Sequence, residues 1–129
     1  MFKDERVTAD INSDIKYIKN DLICKQPNGA YCKFSRPLNA VATYNFKYSD
    51  YIAYWTSRHK FDKNEYEKIK FVCIEKLHSG LISLEKMIEL VKQSNDFETE
   101  KEHVLKYLTQ TVKQTYSGKL RNKYLREGK

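Results

Sequence analysis

Four glycines and two prolines in 129 residues are too few for chemistry built on clustered backbone amides. A phosphate-binding loop needs several close glycines so that main-chain N–H groups can approach an anion, and no such cluster exists here. The signatures of a nucleophile elbow and of a His-carboxylate metal helix are also missing. The three cysteines, Cys24, Cys32 and Cys73, are odd in number and show no paired spacing, which argues for reduced thiols in a cytoplasm rather than a disulfide framework. Together with His59, His78 and His103 they lack the close ligand pairs of a structural zinc site, so neither a metal nor a cofactor is expected. Uncharged apolar runs stay short, as in Leu81-Ile82-Ser83-Leu84, far below the ~20 residues that cross a bilayer. Met1-Phe2-Lys3-Asp4-Glu5-Arg6 lacks the apolar stretch of a signal peptide. These absences point away from an enzyme, a membrane protein and a small-molecule binder. A binding protein in the cytoplasm of a bacterial host cell is the expectation they leave.

What is present is aromatic and basic. Aromatic residues make up 13% of the chain, so core volume must come largely from Tyr and Phe. Lys, Asn, Ile, Tyr, Phe and Met account for 54 residues, against 16 for Gly, Ala, Arg and Pro. That bias marks an AT-rich gene, as in a low-GC bacterium, its phages or its mobile elements, and part of the lysine excess is codon drift. The formal charge of +7 is unevenly placed. Residues 31–61 carry Lys33, Arg36, Lys47, Arg58 and Lys60 against Asp50. Residues 113–129 carry Lys113, Lys119, Arg121, Lys123, Arg126 and Lys129 against Glu127, while residues 62–112 are net acidic. Such asymmetry bears on partners rather than on fold.

Hydrophobic spacing predicts a mainly helical α+β domain over residues 1–118, followed by a basic tail at 119–129. Val7, Ile11, Ile15, Ile18 and Leu22 form one helical face, with Thr8, Asp10 and Ser13 as possible caps. Pro27-Asn28-Gly29 between two apolar-polar runs predicts a β-hairpin near 22–35, with Cys24 opposite Cys32 and Gln26 opposite Ala30. Residues 36–47 read as a loop with at most a third short strand. Ser49 or Asp50 starts a helix through Trp55 and Arg58. Asp62 to Glu65 has capping-box spacing, and the helix after it places Tyr66, Ile69, Cys73 and Leu77 on one face, with Phe71, Val72 and Ile74 widening that face. Gly80 stops it, Ser83 caps the next helix, and a capping box at Thr99–Glu102 opens the last, which runs on to Tyr116. About five helices are expected in all.

Three constellations bear on function. Tyr31, Phe34, Tyr44, Phe46, Tyr48, Tyr51, Tyr54 and Trp55 interleave with Lys33, Arg36 and Lys47, a mixture suited to stacking bases and holding phosphates; Tyr44, Tyr48 and Tyr51 are the stacking candidates. The competing account, favoured for most of these rings and above all for Trp55 and Phe34, is that they form the core. The tail cations Lys119, Arg121, Lys123 and Arg126 suit counterion-release binding. The helices of 62–113 suit a helix-turn-helix reader, but Glu98, Glu100 and Glu102 would face phosphate, so a plain bundle is the better expectation. The leading functional expectation is therefore a small basic accessory or regulatory protein that binds nucleic acid or a nucleic-acid-handling complex. The alternative is a stoichiometric inhibitor or adaptor, of anti-defence or takeover type, that engages a host protein complex without touching nucleic acid.

Overall fold

The computed structural model describes residues 10–110 and the two-residue strand 121–122. The chain is α+β. Among the described residues there are five helices and a sheet, and they divide into two compact units. The first unit takes the chain up to Asn20 and again from Ser49 to Gly80. The second takes Asp21–Tyr48 and the chain from Leu81 onward.

The first unit is helical. Helix α1 (Ile11–Asn20) starts at Asp10, whose carboxylate accepts from the Asn12 amide at 3.1 Å, so Asp10 is the cap among the three expected. Val7 and Thr8 of the expected face lie outside the described residues. Helix α2 (Tyr48–Ser57) feeds a tight turn that leads to α3 (Lys63–Ser79). Asp62 caps α3 as its spacing predicts, accepting from the Glu65 amide, and the amide of Gly80 closes the helix on the Lys76 carbonyl at 3.0 Å. A Cβ on Gly80 would sit 3.1 Å from that carbonyl oxygen, which accounts for glycine there. Ile69, Val72, Cys73 and Leu77 are buried, and α3 packs against α1. Phe71 and Ile74, read from the sequence as part of that face, point to solvent instead.

The second unit is a sheet covered on one face by two helices. Strands β1 (Leu22–Lys25), β2 (Tyr31–Ser35) and β3 (Ala40–Phe46) form an antiparallel meander, and β4 (Arg121–Asn122) pairs with β3. Cys24 stands opposite Cys32 as the turn chemistry predicts, and the Gln26 amide donates to the Ala30 carbonyl at 2.7 Å. Gly29 supplies the left-handed residue of the turn, at φ +94°. Helices α4 (Leu84–Lys92) and α5 (Glu98–Thr109) pack on each other and on the sheet. Leu22, Cys24, Cys32, Phe34, Val41 and Tyr44 meet Met87, Val91, Val104 and Leu108 there in one core. Ser83 caps α4, accepting from the Lys86 amide at 3.1 Å.

Three expectations need correction. Residues 40–46 form a full strand rather than a loop. The strand is buried along nearly its whole length, and register shifts in its pairing with β2 leave Ala42 and Asn45 without partners. Both effects erase the alternation by which a half-buried strand is recognised. The last helix begins at Glu98 with Phe97 as its cap residue, not in a box at Thr99. Helix α3 belongs to the first unit and α4 and α5 to the second, so the three do not make one trihelical body.

Candidate functional site

The cationic and aromatic candidates disperse. Tyr44 is only 3% exposed and its ring lies 5.4 Å from that of Tyr107 inside the core, while Tyr51 is 5% exposed. Neither ring can accept a base, which corrects both as stacking platforms; their apolar faces serve packing instead. Trp55 and Phe34 are buried, as expected. Of the three stacking candidates Tyr48 is exposed, at 57%.

Two of the cations are engaged inside the protein. Lys33 is nearly buried, with its ammonium 3.8 Å from Asp21. Arg58 grips Asp14 through Nε at 2.7 Å and Nη2 at 3.3 Å, and lies 5.7 Å from the centre of the Trp55 ring. The hydrogen bond to Asp14 raises the Arg58 pKa further, against the opposing effect of burial. The same carboxylate holds His59 Nε2 at 2.8 Å, and His59 Nδ1 meets Glu65 at 3.1 Å. Asp14 and His59 are buried, so this cluster is a structural knot joining α1, the end of α2 and the start of α3. Arg36, Lys47 and Lys60 are exposed, and the Lys60 ammonium lies 5.1 Å from the centre of the Phe61 ring. The side chains of Lys119, Arg121, Lys123 and Arg126 lie outside the described residues, and of Arg121 only the strand pairing is described.

Charge balance points the same way. Each unit's part of residues 10–110 carries eight basic and seven acidic residues. Five of the seven excess charges therefore belong to residues 113–129, and each unit's part of residues 10–110 carries a net charge of only +1.

A different site emerges from two loops of the second unit. Between β2 and β3, Arg36-Pro37-Leu38-Asn39 makes a turn closed by the Asn39 amide on the Arg36 carbonyl at 3.1 Å, with proline presetting φ at its second position. Asn39 then takes φ +50°, a conformation asparagine tolerates better than most residues. Between α4 and α5, Ser94 folds back onto the Val91 carbonyl at 2.8 Å. The two loops are tied together. The Asn95 amide donates to the Asn39 carbonyl at 2.7 Å, the Asn95 side chain to the Leu38 carbonyl at 3.5 Å, and the Val41 amide to the Asp96 carboxylate at 3.1 Å.

This pinned pair presents Leu38 at 52% exposure and Phe97 at 84%. Phe97 is the more telling. It holds the cap position of α5, with φ −63° and ψ 155°, where Ser, Thr, Asp or Asn would bond a free amide, yet it makes no side-chain cap. Nor is it packed. A large ring that neither caps nor fills a core adds little to the fold, and hydrogen-bonded loops carry it. The sequence signal was an aromatic residue directly before a Glu-rich helix start, and it was masked by the nearby Thr99–Glu102 pattern.

Among the described residues no three His, Cys, Asp or Glu side chains are placed to hold a metal ion, and none of their helices is long and apolar enough to cross a membrane. Compared with known protein families, curated proteins and solved structures, the chain matches none.

Proposed function

We propose that the chain is a protein-binding module, an inhibitor or adaptor that acts by docking Phe97 and Leu38 into an apolar pocket of a partner protein. The observation that carries this reading is Phe97, 84% exposed at a helix cap it does not cap. Binding energy in protein interfaces concentrates in a few large side chains that become buried on docking. Holding the anchor on hydrogen-bonded loops lowers the ordering cost of association. Exposed Arg36 and Glu98 flank the pair and suit a polar rim. Catalysis has no part in this reading, and a host protein complex is the partner class.

Nucleic-acid binding is the second reading, and the tail cations Lys119, Arg121, Lys123 and Arg126 favour it. Near-neutral units and two buried stacking candidates weaken that reading, which keeps the tail together with the exposed Arg36, Lys47, Lys60 and Tyr48. Capture of partners from an AT-rich bacterial host, with nuclease treatment and with Phe97→Ala as bait, separates the two. The protein-docking reading expects a partner that survives nuclease and is lost with Phe97→Ala. A partner lost to nuclease and indifferent to Phe97 refutes it.

A further inference from the structure

We infer that α3 carries a self-association face, through which two copies of this chain pair with their α3 helices antiparallel about a two-fold axis midway between Phe71 and Ile74. The face lies in the first unit and is independent of the Phe97 tip. At 100° per residue, Glu67, Phe71, Ile74 and His78 follow one another along a single stripe at spacings of four, three and four, the rhythm of a helix-pairing seam. All four are exposed, and the two apolar members stand 64% and 46% exposed although the rest of the helix's apolar residues are buried or half-buried.

The occupant follows from the order of side chains. A two-fold axis between residues 72 and 73 sets Phe71 of one copy against Ile74 of the other, and Ile74 against Phe71. The same operation sets Glu67 opposite His78 at both ends of the seam. Lys68 and Glu75 lie on one flank of the stripe, and a perpendicular two-fold axis keeps that flank on the same side. Lys68 of each copy therefore comes beside Glu75 of the other. Neither Lys68 nor Glu75 takes part in an ion pair among the described residues. A heterologous partner would need no such agreement of the face with itself, whereas a second copy needs every one of these matches. With two apolar side chains per copy at the centre, the contact is smaller than a standard interface, and dissociation in the range of roughly 10 μM to 1 mM is expected.

Sedimentation equilibrium of the full chain across roughly 1 μM to 1 mM tests it. A reversible monomer–dimer equilibrium is expected, and Phe71→Lys should abolish it while leaving the melting temperature within about 2 °C, because an exposed residue supports no core. Lys68→Glu alone and Glu75→Lys alone should each weaken the dimer by roughly tenfold, since each change places like charges together twice. An equimolar mixture of those two variants should regain the parent affinity, because each then supplies the charge the other lacks. A parent that stays monomeric throughout overturns the proposal. So does a dimer that survives Phe71→Lys, or a mixture that associates no better than either variant by itself.

Discussion

Replacing Phe97 by Ser should leave the protein as stable as the parent or more so, although it removes a phenylalanine. The residue keeps only about a sixth of its surface out of solvent, being 84% exposed. A Phe side chain offers on the order of 200 Å². At most ~30 Å² of burial is therefore lost, worth no more than about 0.8 kcal/mol at ~25 cal/mol per Å². That figure is an upper bound, because the unfolded chain hides part of the ring as well. Against it stands a new cap. The backbone at 97 already has the extended φ and ψ of a cap residue, so a Ser hydroxyl can accept from an unbonded amide in the first turn of α5, for ~1 kcal/mol. Phe97→Ala supplies the control, since it removes the ring without adding an acceptor. Urea unfolding followed by circular dichroism should rank Ser above Ala by ~1 kcal/mol, with Ser between the parent and about 1 kcal/mol beyond it. Both variants should lose the partner captured by the parent. If Ser costs more than about 1 kcal/mol, Phe97 supports the fold and the docking argument built on it collapses.

Four further outcomes are expected. Asp14→Ala strips both Arg58 and His59 of their shared carboxylate in a buried setting and should destabilise the protein by about 3 kcal/mol, read from the urea midpoint; a loss below 1 kcal/mol would make the knot incidental. Asn28→Ala removes the acceptor for the Ala30 amide and the Gln26 side chain, and should cost ~1–3 kcal/mol, whereas a neutral result would show that solvent replaces it. Burial, together with the neighbouring Cys24 thiol, raises the Cys32 pKa above its ordinary value of 9.0, so the folded protein holds that proton more tightly than the unfolded chain. Its contribution to stability is complete below the ordinary thiol range and is lost as pH rises through and beyond it, so Cys32→Ala should flatten the alkaline fall in urea midpoint. Native thiols should react with a disulfide reagent only on unfolding, and rapid reaction without urea would contradict the burial of Cys24, Cys32 and Cys73.

Local chemistry was legible in the sequence. The turn at Pro27-Asn28-Gly29, the caps at Asp62 and Ser83 and the stop at Gly80 each rest on a single backbone requirement, and all four are where their residue types placed them. What depends on long-range packing was not legible. Gln26 reads as a polar residue beside a turn, yet it is buried, accepting from the Asn45 amide at 2.7 Å and donating to Asn28. Asn45, at φ +58°, is the unpaired residue of a bulge, and nothing nearby in sequence announces its partner 19 positions away. The misplaced cap of α5 has the same origin. Asp96, which would suit a cap, spends its carboxylate on the Val41 amide, 55 residues distant. Of the candidate site, the tail cations and the rings were named by residue type, but whether a Tyr faces a core or solvent was decided by neighbours that the linear chain does not show.

The two units share the chain in alternating turns, and this has a consequence for how the protein can be made. Helix α1 emerges from the ribosome before its packing partner α3, which is complete only at Ser79, after the whole β1–β2–β3 meander has been synthesised. Until then α1 stands with its apolar face bare, too short at ten residues to hold its shape alone in water. Strand β3 waits longer, because the strand that covers its outer edge arrives at residues 121–122. A chain stopped before that point presents an open strand edge, the feature that invites pairing between molecules. No single cut of the gene yields both units whole: one after Gly80 keeps the first and splits the second, and one after Asn20 does the reverse.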